Sequence, residues 1–256
     1  MGGQLQLSDD DIAEYDANGL LGPYRGLPEE EAIRYRDAVI ENVIGTDASQ
    51  TGEHLQCRHL DSRMVYELCV LPAIVTRVVG LLGLDVILWR SHFWCKQPGD
   101  PAVAWHQDLT HWPLEPMVNV TAWLALDEAT VENGCVQVIP GSHGVVHPTD
   151  SLTGDPLTDS VAPSCIDQDK VVSVQLKPGE FFLFSEKLLH HSPRNTSNKR
   201  RLGLAMRMTT PTVKVDHSRL LHGRHRNVVV HGEDRVGLNL LQDPATIPEE
   251  NACQRT

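Results

Sequence analysis

A histidine and an aspartate two residues apart, His106 and Asp108, have the types and the spacing of a metal-binding pair. Residues i and i+2 of an extended chain point to the same face, so this imidazole and this carboxylate can reach one ion. A second histidine from a distant strand would complete a set of two histidines and one carboxylate. Such a set leaves coordination positions open, which is typical of non-haem Fe(II) oxygenases. Zinc accepts the same donors, so a zinc hydrolase remains an alternative at this point.

The spacing alone is weak evidence, because 13 His and 34 acidic residues would produce roughly two such pairs by chance. Three pairs occur, in residues 59–61, 106–108 and 231–233. The first lies at the edge of a predicted helical region, where residues i and i+2 diverge. The third contains the last histidine of the chain, so no later histidine can join it. The context therefore favours His106 and Asp108, which without a metal would be a turn histidine hydrogen-bonded to an aspartate.

Two adjacent histidines, His190 and His191, are the candidates for the distant ligand. They follow an apolar, strand-like run at residues 181–184, and Arg201 comes eleven residues after His190 at the head of the next predicted strand. A guanidinium binds a carboxylate through two charge-assisted hydrogen bonds. Arg201 is therefore a candidate for holding the distal carboxylate of 2-oxoglutarate, a cosubstrate that an oxygenase of this type must bind.

Length and composition limit the other possibilities. The 256 residues fit one domain with a single core, and the formal net charge of -12 disfavours nucleic acid as a partner. No apolar run approaches the roughly 20 residues of a membrane span, and the first residues are polar and acidic, unlike a signal peptide. The six cysteines form no CxxC motif, which is typical of reduced thiols. We expect a cytoplasmic protein, monomeric or homodimeric, that acts on a small molecule and has no membrane partner.

The first third of the sequence predicts helices. Ser8 is a potential N-cap of a helix that ends near Gly19. Residues 28–31 have the proline and the acidic residues of a second helix start, and Gly45 ends that helix. A third helical stretch spans residues 62–82.

From residue 85 onward, the sequence predicts short strands. Runs rich in Val, Ile, Phe and Trp alternate with turn residues, which indicates a sandwich or a barrel. Residues 144–169 have no periodicity and predict a long surface loop of the kind that often acts as a lid. The predicted strands are residues 86–89, 118–126, 135–139, 171–176, 181–184, 202–208 and 228–230.

Several motifs in this region, in the same order along the chain, resemble the phytanoyl-CoA dioxygenase family. The resemblance covers residues 85–210 and, more weakly, the helices before them. The chain departs from the family at His191, where glycine is common, and at Met208, where tyrosine is usual. The matching stretches are residues 106–109 with Pro113 and Pro116, 121–123, 133–135, 139–143, 177–180 and 190–195 with Arg201.

The resemblance implies a mainly β protein with flanking α-helices, folded as a double-stranded β-helix, that is, a jelly-roll or cupin-like barrel. We expect one domain over residues 1–256, with a mainly helical flank at 1–84 and the barrel core at 85–235. The resemblance also implies an Fe(II)-dependent dioxygenase that consumes 2-oxoglutarate and O2, with ascorbate as a supporting reductant.

The family's motifs also assign the metal and cosubstrate residues one by one. The spacing His-x-Ser in the family selects His190 rather than His191 as the distal ligand. The expected iron ligands are His106, Asp108 and His190. The residues expected around the cosubstrate are Arg201, Ser192 and Trp123. The residues expected to contact the substrate are Thr121, Arg207 and His111.

The tail at residues 226–234 resembles a subgroup that includes non-haem iron halogenases. Those halogenases replace the carboxylate ligand with Gly or Ala, which frees a site for chloride, whereas this chain keeps Asp108. We therefore expect hydroxylation of an unactivated C–H bond of a small molecule, such as an anionic or natural-product intermediate. Desaturation, ring closure, epimerisation or halogenation on the same scaffold, and a non-catalytic barrel, remain open. The locally basic residues 219–226 are either a solvated tail or the edge of a pocket for an anionic group.

Overall fold

A computed structural model describes residues 5–46, 48, 52–110, 112–151, 160–220 and 225–249. Two antiparallel sheets face each other, and four α-helices flank the larger sheet. The helices are α1 (Asp9–Asn18), α2 (Glu29–Val39), α3 (Arg63–Cys69) and α4 (Pro72–Leu82). The strands are β1 (Leu20–Arg25), β2 (Val86–Lys96), β3 (Val103–His106), β4 (Leu114–Glu115), β5 (Val120–Ala125), β6 (Val136–Val138), β7 (Thr149–Ser151), β8 (Ser160–Val161), β9 (Val172–Val174), β10 (Glu180–Ser185), β11 (His190–Ser192), β12 (Arg201–Thr209), β13 (Lys214–Val215) and β14 (Val228–His231).

The strand order confirms the mainly β, jelly-roll fold that the sequence predicts. The larger sheet runs β1-β10-β5-β12-β2-β14, and the smaller sheet runs β3-β11-β6-β9. Neighbours along the chain are mostly not neighbours in a sheet, because the chain passes back and forth between the two layers. Two further pairs, β4 with β13 and β7 with β8, stand outside these sheets.

The alternation of side chains along each strand gives the larger sheet two different faces. On β12, Leu202, Leu204 and Met206 point outward and pack against buried residues of the helices, among them Ile74 and Val78 of α4. The residues between them point into the barrel. There, Ala205 belongs to a second apolar cluster with Trp123, Phe182 and Phe184 of the same sheet and Val136 and Val138 of the smaller sheet.

The predicted helices form at the positions that their capping residues and glycines indicate in the sequence. Ser8 accepts a hydrogen bond at Oγ from the backbone N–H of Asp11, while the Asp11 carboxylate accepts one from the backbone N–H of Ser8. This reciprocal capping box begins α1, and Gly19 ends it in the left-handed region at φ 74°. The helix α2 continues as a π-helical turn, Ile40–Ile44, up to Gly45. Among the described residues no single helix is long and apolar enough to cross a membrane; only α3 and α4 taken together, across a 51° bend, meet that criterion.

Three features differ from the sequence-based expectations. Strand β1 lies in the region predicted to be helical and forms an edge of the larger sheet, where its proline at position 23 is tolerated. The predicted loop at 144–169 contains the pair β7 and β8, whose Val161 is buried against Ile139 and Leu189. Asp108 is not on an extended strand: β3 ends at His106, and a 3-10 turn, Asp108–Thr110, begins two residues later.

Candidate metal centre

Two histidines and one aspartate converge on the inner face of the smaller sheet. His106 ends β3 and His190 begins β11, and the two residues are paired across these antiparallel strands. The turn that follows β3 brings Asp108 back between them, with its Oδ1 3.7 Å from His106 Nε2 and its Oδ2 3.8 Å from His190 Nε2. One donor atom from each of the three residues lies within 4.8 Å of the other two, and the three side chains are at most 12% exposed.

Backbone carbonyl groups orient both imidazoles in the same way. His106 donates from Nδ1 to the carbonyl oxygen of Ala104 at 2.8 Å, and His190 donates from Nδ1 to that of Leu188 at 2.9 Å. With Nδ1 protonated, the lone pair of each ring is on Nε2, the atom that faces Asp108. Metal-binding histidines in proteins are commonly held by such a second hydrogen bond.

The electrostatics of the cluster suit a divalent cation. Burial lowers the pKa of His190 to about 4, and the neighbouring His106 acts in the same direction, so the ring is neutral at physiological pH. The Oδ2 atom of Asp108 is buried without a hydrogen-bond donor among the described residues. A buried carboxylate needs a compensating cation. Two neutral imidazoles and one carboxylate are donors that Fe(II) accepts, so the residues present fit this metal.

His191 is turned away from this cluster. Its Nε2 atom lies 2.6 Å from Oε1 of Gln137, and its ring stacks on Trp105 with the centroids 4.0 Å apart. The backbone of β11 places adjacent side chains on opposite faces. The structure therefore brings His190, and not its neighbour, to His106 and Asp108.

The two alternative pairs in the sequence are engaged elsewhere. His59 is buried and hydrogen-bonded through Nδ1 to Ser91 Oγ at 2.7 Å, and its partner Asp61 forms an ion pair with Arg58. The exposed His231 donates from Nδ1 to the carbonyl oxygen of Leu84. Within the described ranges, the only group of three or more potential metal ligands is the one at His106.

The residues predicted to surround the cosubstrate lie beside the triad. Arg201 is 2% exposed and donates from Nη1 to the carbonyl oxygen of Gly134, while its Nε has no hydrogen-bond partner in the described structure. Its guanidinium lies over the ring of Trp123, 5.4 Å from the centroid. A Cβ atom added at Gly203 would collide with that indole, so glycine at this interior position lets Trp123 lie beneath Arg201.

One cavity is lined by all eight described residues of the predicted metal, cosubstrate and substrate sites, and by none of the described basic residues Arg219, His225 and Arg226. It is open to solvent and lies between the two sheets. His111, the ninth predicted residue, lies outside the described residues, as do His222 and Arg224 of the basic segment. The cavity is lined by Trp94, Val103, His106, Asp108, Thr121, Trp123, Val136, Phe184, His190, His191, Ser192, Arg201, Ala205 and Arg207.

Lys96 is a part of this site that sequence reasoning missed. It is fully buried and lies directly across from Arg201 in the pairing of β2 with β12. Its ammonium donates to Ser192 Oγ at 2.8 Å, to the carbonyl oxygen of Ser192 and to that of Pro193, which fixes the segment after the distal histidine. Burial, together with the charge of Arg201, lowers the pKa of Lys96 to about 7. The sequence could have indicated this position, because side chains alternate along a strand and residues 90, 92, 94 and 96 therefore share one face of β2.

Comparison with known proteins gives matches over most of the chain. A family model described as phytanoyl-CoA dioxygenase (PhyH) matches residues 15–203. Dioxygenase lolE1 from Epichloe uncinata is 26% identical over 214 residues, which is 76% of this chain and 80% of that protein. The phytanoyl-CoA dioxygenase domain-containing protein 1 homolog from Caenorhabditis briggsae is 36% identical over 122 residues, but the match covers 44% of this chain and 42% of the nematode protein. The solved structure of CytC3 with Fe(II) and alpha-ketoglutarate has a similar fold, with a TM-score of 0.73, 24% identity and 94% of each chain covered.

Proposed function

Because the chain belongs to the phytanoyl-CoA dioxygenase family of Fe(II)- and 2-oxoglutarate-dependent oxygenases, we propose that it hydroxylates an unactivated C–H bond of a small molecule. His106, Asp108 and His190 hold the iron in this proposal, and Arg201 binds the distal carboxylate of 2-oxoglutarate. One observation carries it: a buried triad with an uncompensated carboxylate shares a cavity with a buried arginine whose Nε is unpartnered.

The residues of the site have separable roles in this reaction. When bound, Fe(II) and 2-oxoglutarate supply the O2-dependent oxidising chemistry. The Arg201 guanidinium provides the charge and the two-pronged geometry that orient a carboxylate. Lys96 already donates to Ser192 Oγ, so the hydroxyl proton of Ser192 is free to point into the cavity as a second donor. Trp123 and Phe184 line the cavity with apolar surface, which limits the access of water.

The identity of the metal also follows from the surroundings of the triad. A zinc hydrolase needs an ion and an activated water, but it has no use for a buried, partly unpaired arginine close to the ion. An oxygenase needs that arginine for its cosubstrate. Similarly, a non-catalytic barrel has no reason to keep Asp108 buried without a hydrogen-bond donor, because such a group destabilises the fold.

The retained carboxylate predicts the outcome of the reaction. Asp108, as one of the three residues that would hold the iron, would leave no protein-vacated position for a chloride ligand, and the bound metal with 2-oxoglutarate would supply O2-dependent oxidation. We expect the product to be heavier than the substrate by one oxygen atom that derives from O2, with no chlorine incorporated from a chloride buffer.

This outcome is measured by mass spectrometry after incubation with Fe(II), 2-oxoglutarate, ascorbate and a library of small molecules under labelled O2. A chlorine isotope pattern in the wild-type product would contradict hydroxylation and assign the protein as a halogenase. Loss of two hydrogen atoms would keep the iron site but replace hydroxylation by desaturation or ring closure. An isomer of unchanged mass would indicate epimerisation.

A further inference from the structure

Two rows of residues face the interior of the barrel from the larger sheet, one on β12 and one on β2. On β12 the row begins at Arg201 and ends at Arg207, which places the two Cα atoms about 20 Å apart. In the pairing of the strands Arg201 lies opposite Lys96, and Arg207 lies opposite Arg90. The barrel therefore has a pair of basic residues at each end of the same two rows. Between the arginines, the β12 row carries only Gly203 and Ala205, whose small size leaves room for ligands.

The proposed binding of 2-oxoglutarate gives a role to the pair Arg201 and Lys96. It gives none to the second pair, Arg207 and Arg90. Arg207 is 5% exposed and lines the cavity. Its Nε and Nη1 atoms are buried, and none of the described residues offers them a hydrogen-bond acceptor. Its guanidinium lies over the ring of Trp112, 4.8 Å from the centroid. Arg90 donates to Gln56 Oε1 at 2.6 Å, so its partner there is neutral.

Among the described residues, Asp108 is the carboxylate whose charge raises the pKa of both Arg90 and Arg207, against the larger lowering that burial causes. It forms no ion pair with either of them within the described part of the chain, because its oxygens face the two histidines. In the proposed function it is a metal ligand, so its charge is compensated by the ion. A buried guanidinium left without an anion is unfavourable, and proteins rarely retain one without a reason.

We propose that Arg207 binds a carboxylate of the prime substrate, so that the substrate of this enzyme is a carboxylic acid held on the side of the triad opposite Arg201. This inference rests on the proposed function, because it assumes that Arg201 serves the cosubstrate. Thr121, which lies beside Arg207 in the pairing of β5 with β12, also lines the cavity. Arg90 lies opposite Arg207 in the pairing of β2 with β12 and adds positive charge there, but it is not among the residues that line the cavity.

The same chemistry has a second possible source, since 2-oxoglutarate itself has two carboxylates. The experiment separates the two. The holoprotein is prepared with Mn(II), which supports no turnover, and saturated with 2-oxoglutarate, so that the cosubstrate's sites are filled. Linear carboxylates of two to eight carbons are then titrated by calorimetry beside the matched primary amides, which have the same shape without the charge.

The expected result is that one carboxylate binds per chain and that the matched amides bind at least about tenfold more weakly. Arg207→Gln should weaken carboxylate binding by a similar factor and leave the affinity for 2-oxoglutarate within about twofold. Arg207→Lys should retain part of the affinity, because the charge remains. Arg34→Gln, at an exposed arginine of α2, is the control and should leave the affinities for the carboxylate and for 2-oxoglutarate unchanged.

Three results would overturn the inference. They are no binding of any carboxylate, equal binding of acids and amides, and a loss of 2-oxoglutarate affinity in Arg207→Gln as large as in Arg201→Gln. The last would assign Arg207 to the cosubstrate. If Arg207→Gln has a much lower melting temperature than the wild type, the affinities of Arg207→Lys are compared instead, because this variant keeps a cation in the cavity. None of these results affects the oxygenase assignment, which depends on succinate formation by the iron-loaded protein.

Discussion

Replacing His190 with alanine is expected to lower turnover by roughly three orders of magnitude or more, because the metal then keeps only two protein ligands. His191→Ala, one residue away, should retain most of the activity. The His191 ring contacts Trp105 and Gln137 and does not reach the other donors. Both variants remove an imidazole from β11, so they are matched in size and in position.

The measurement combines iron content per chain with the rate of succinate formation from 2-oxoglutarate. His190→Ala should lose both the bound iron and the activity, and alanine at His106 or Asp108 should act in the same way. If His190→Ala kept its iron and its rate while His191→Ala lost both, the distal ligand would be His191 and the geometry of the triad would be misassigned.

Arg201→Ala should raise the 2-oxoglutarate concentration needed for half-maximal rate by about thirtyfold, corresponding to about 2 kcal/mol for a lost charge-assisted contact. The half-saturating concentration of the prime substrate should change far less, because the guanidinium lies at the opposite end of the β12 row from Arg207. Arg201→Lys should rescue only partly, since an ammonium cannot make the two-pronged contact.

Steady-state kinetics with each reactant varied in turn distinguish these effects. Arg200→Ala is the neighbouring control. Its guanidinium forms an ion pair with Asp127 outside the cavity at 2.8 Å, so its loss should lower stability and leave the 2-oxoglutarate requirement near that of the wild type. Equal losses for 2-oxoglutarate and prime substrate in Arg201→Ala would contradict a specific role in binding the cosubstrate.

The sequence predicts much of the barrel because burial leaves a readable pattern in strands. The outward residues Leu202, Leu204 and Met206 meet the helices, and the continuous apolar runs of β5 and β10 are buried on both faces. Strand β1 escapes prediction for a local reason. Its middle residues, 22 and 23, are glycine and proline, which the edge of a sheet tolerates but which indicate a turn in a sequence.

The sequence predicts which three residues come together but not the local geometry that brings them there. His106, Asp108 and His190 come together as expected, yet a tight turn after β3, rather than the alternation of an extended strand, brings the aspartate back to the first histidine. A period-two argument cannot reveal such a turn.

The roles of Lys96 and of Arg207 depend on burial and on missing partners, which a sequence does not state. Lys96 stands just before the turn at residues 98–99, where a lysine is usually solvated. The structure instead gives it three acceptors and no exposure. Arg207 lies within an apolar strand, and only the fold shows that its guanidinium enters the cavity without an acceptor among the described residues.

The most direct test of the oxygenase assignment is the conversion of 2-oxoglutarate to succinate by the purified protein. Succinate should form only when Fe(II) and O2 are both present, and a chelator should stop its formation. The Asp108→Ala variant should form none above background. Failure of the iron-loaded wild type to form succinate with any member of the substrate library, or formation at the same rate by Asp108→Ala, would contradict the assignment of this cavity as an Fe(II)- and 2-oxoglutarate-dependent active site.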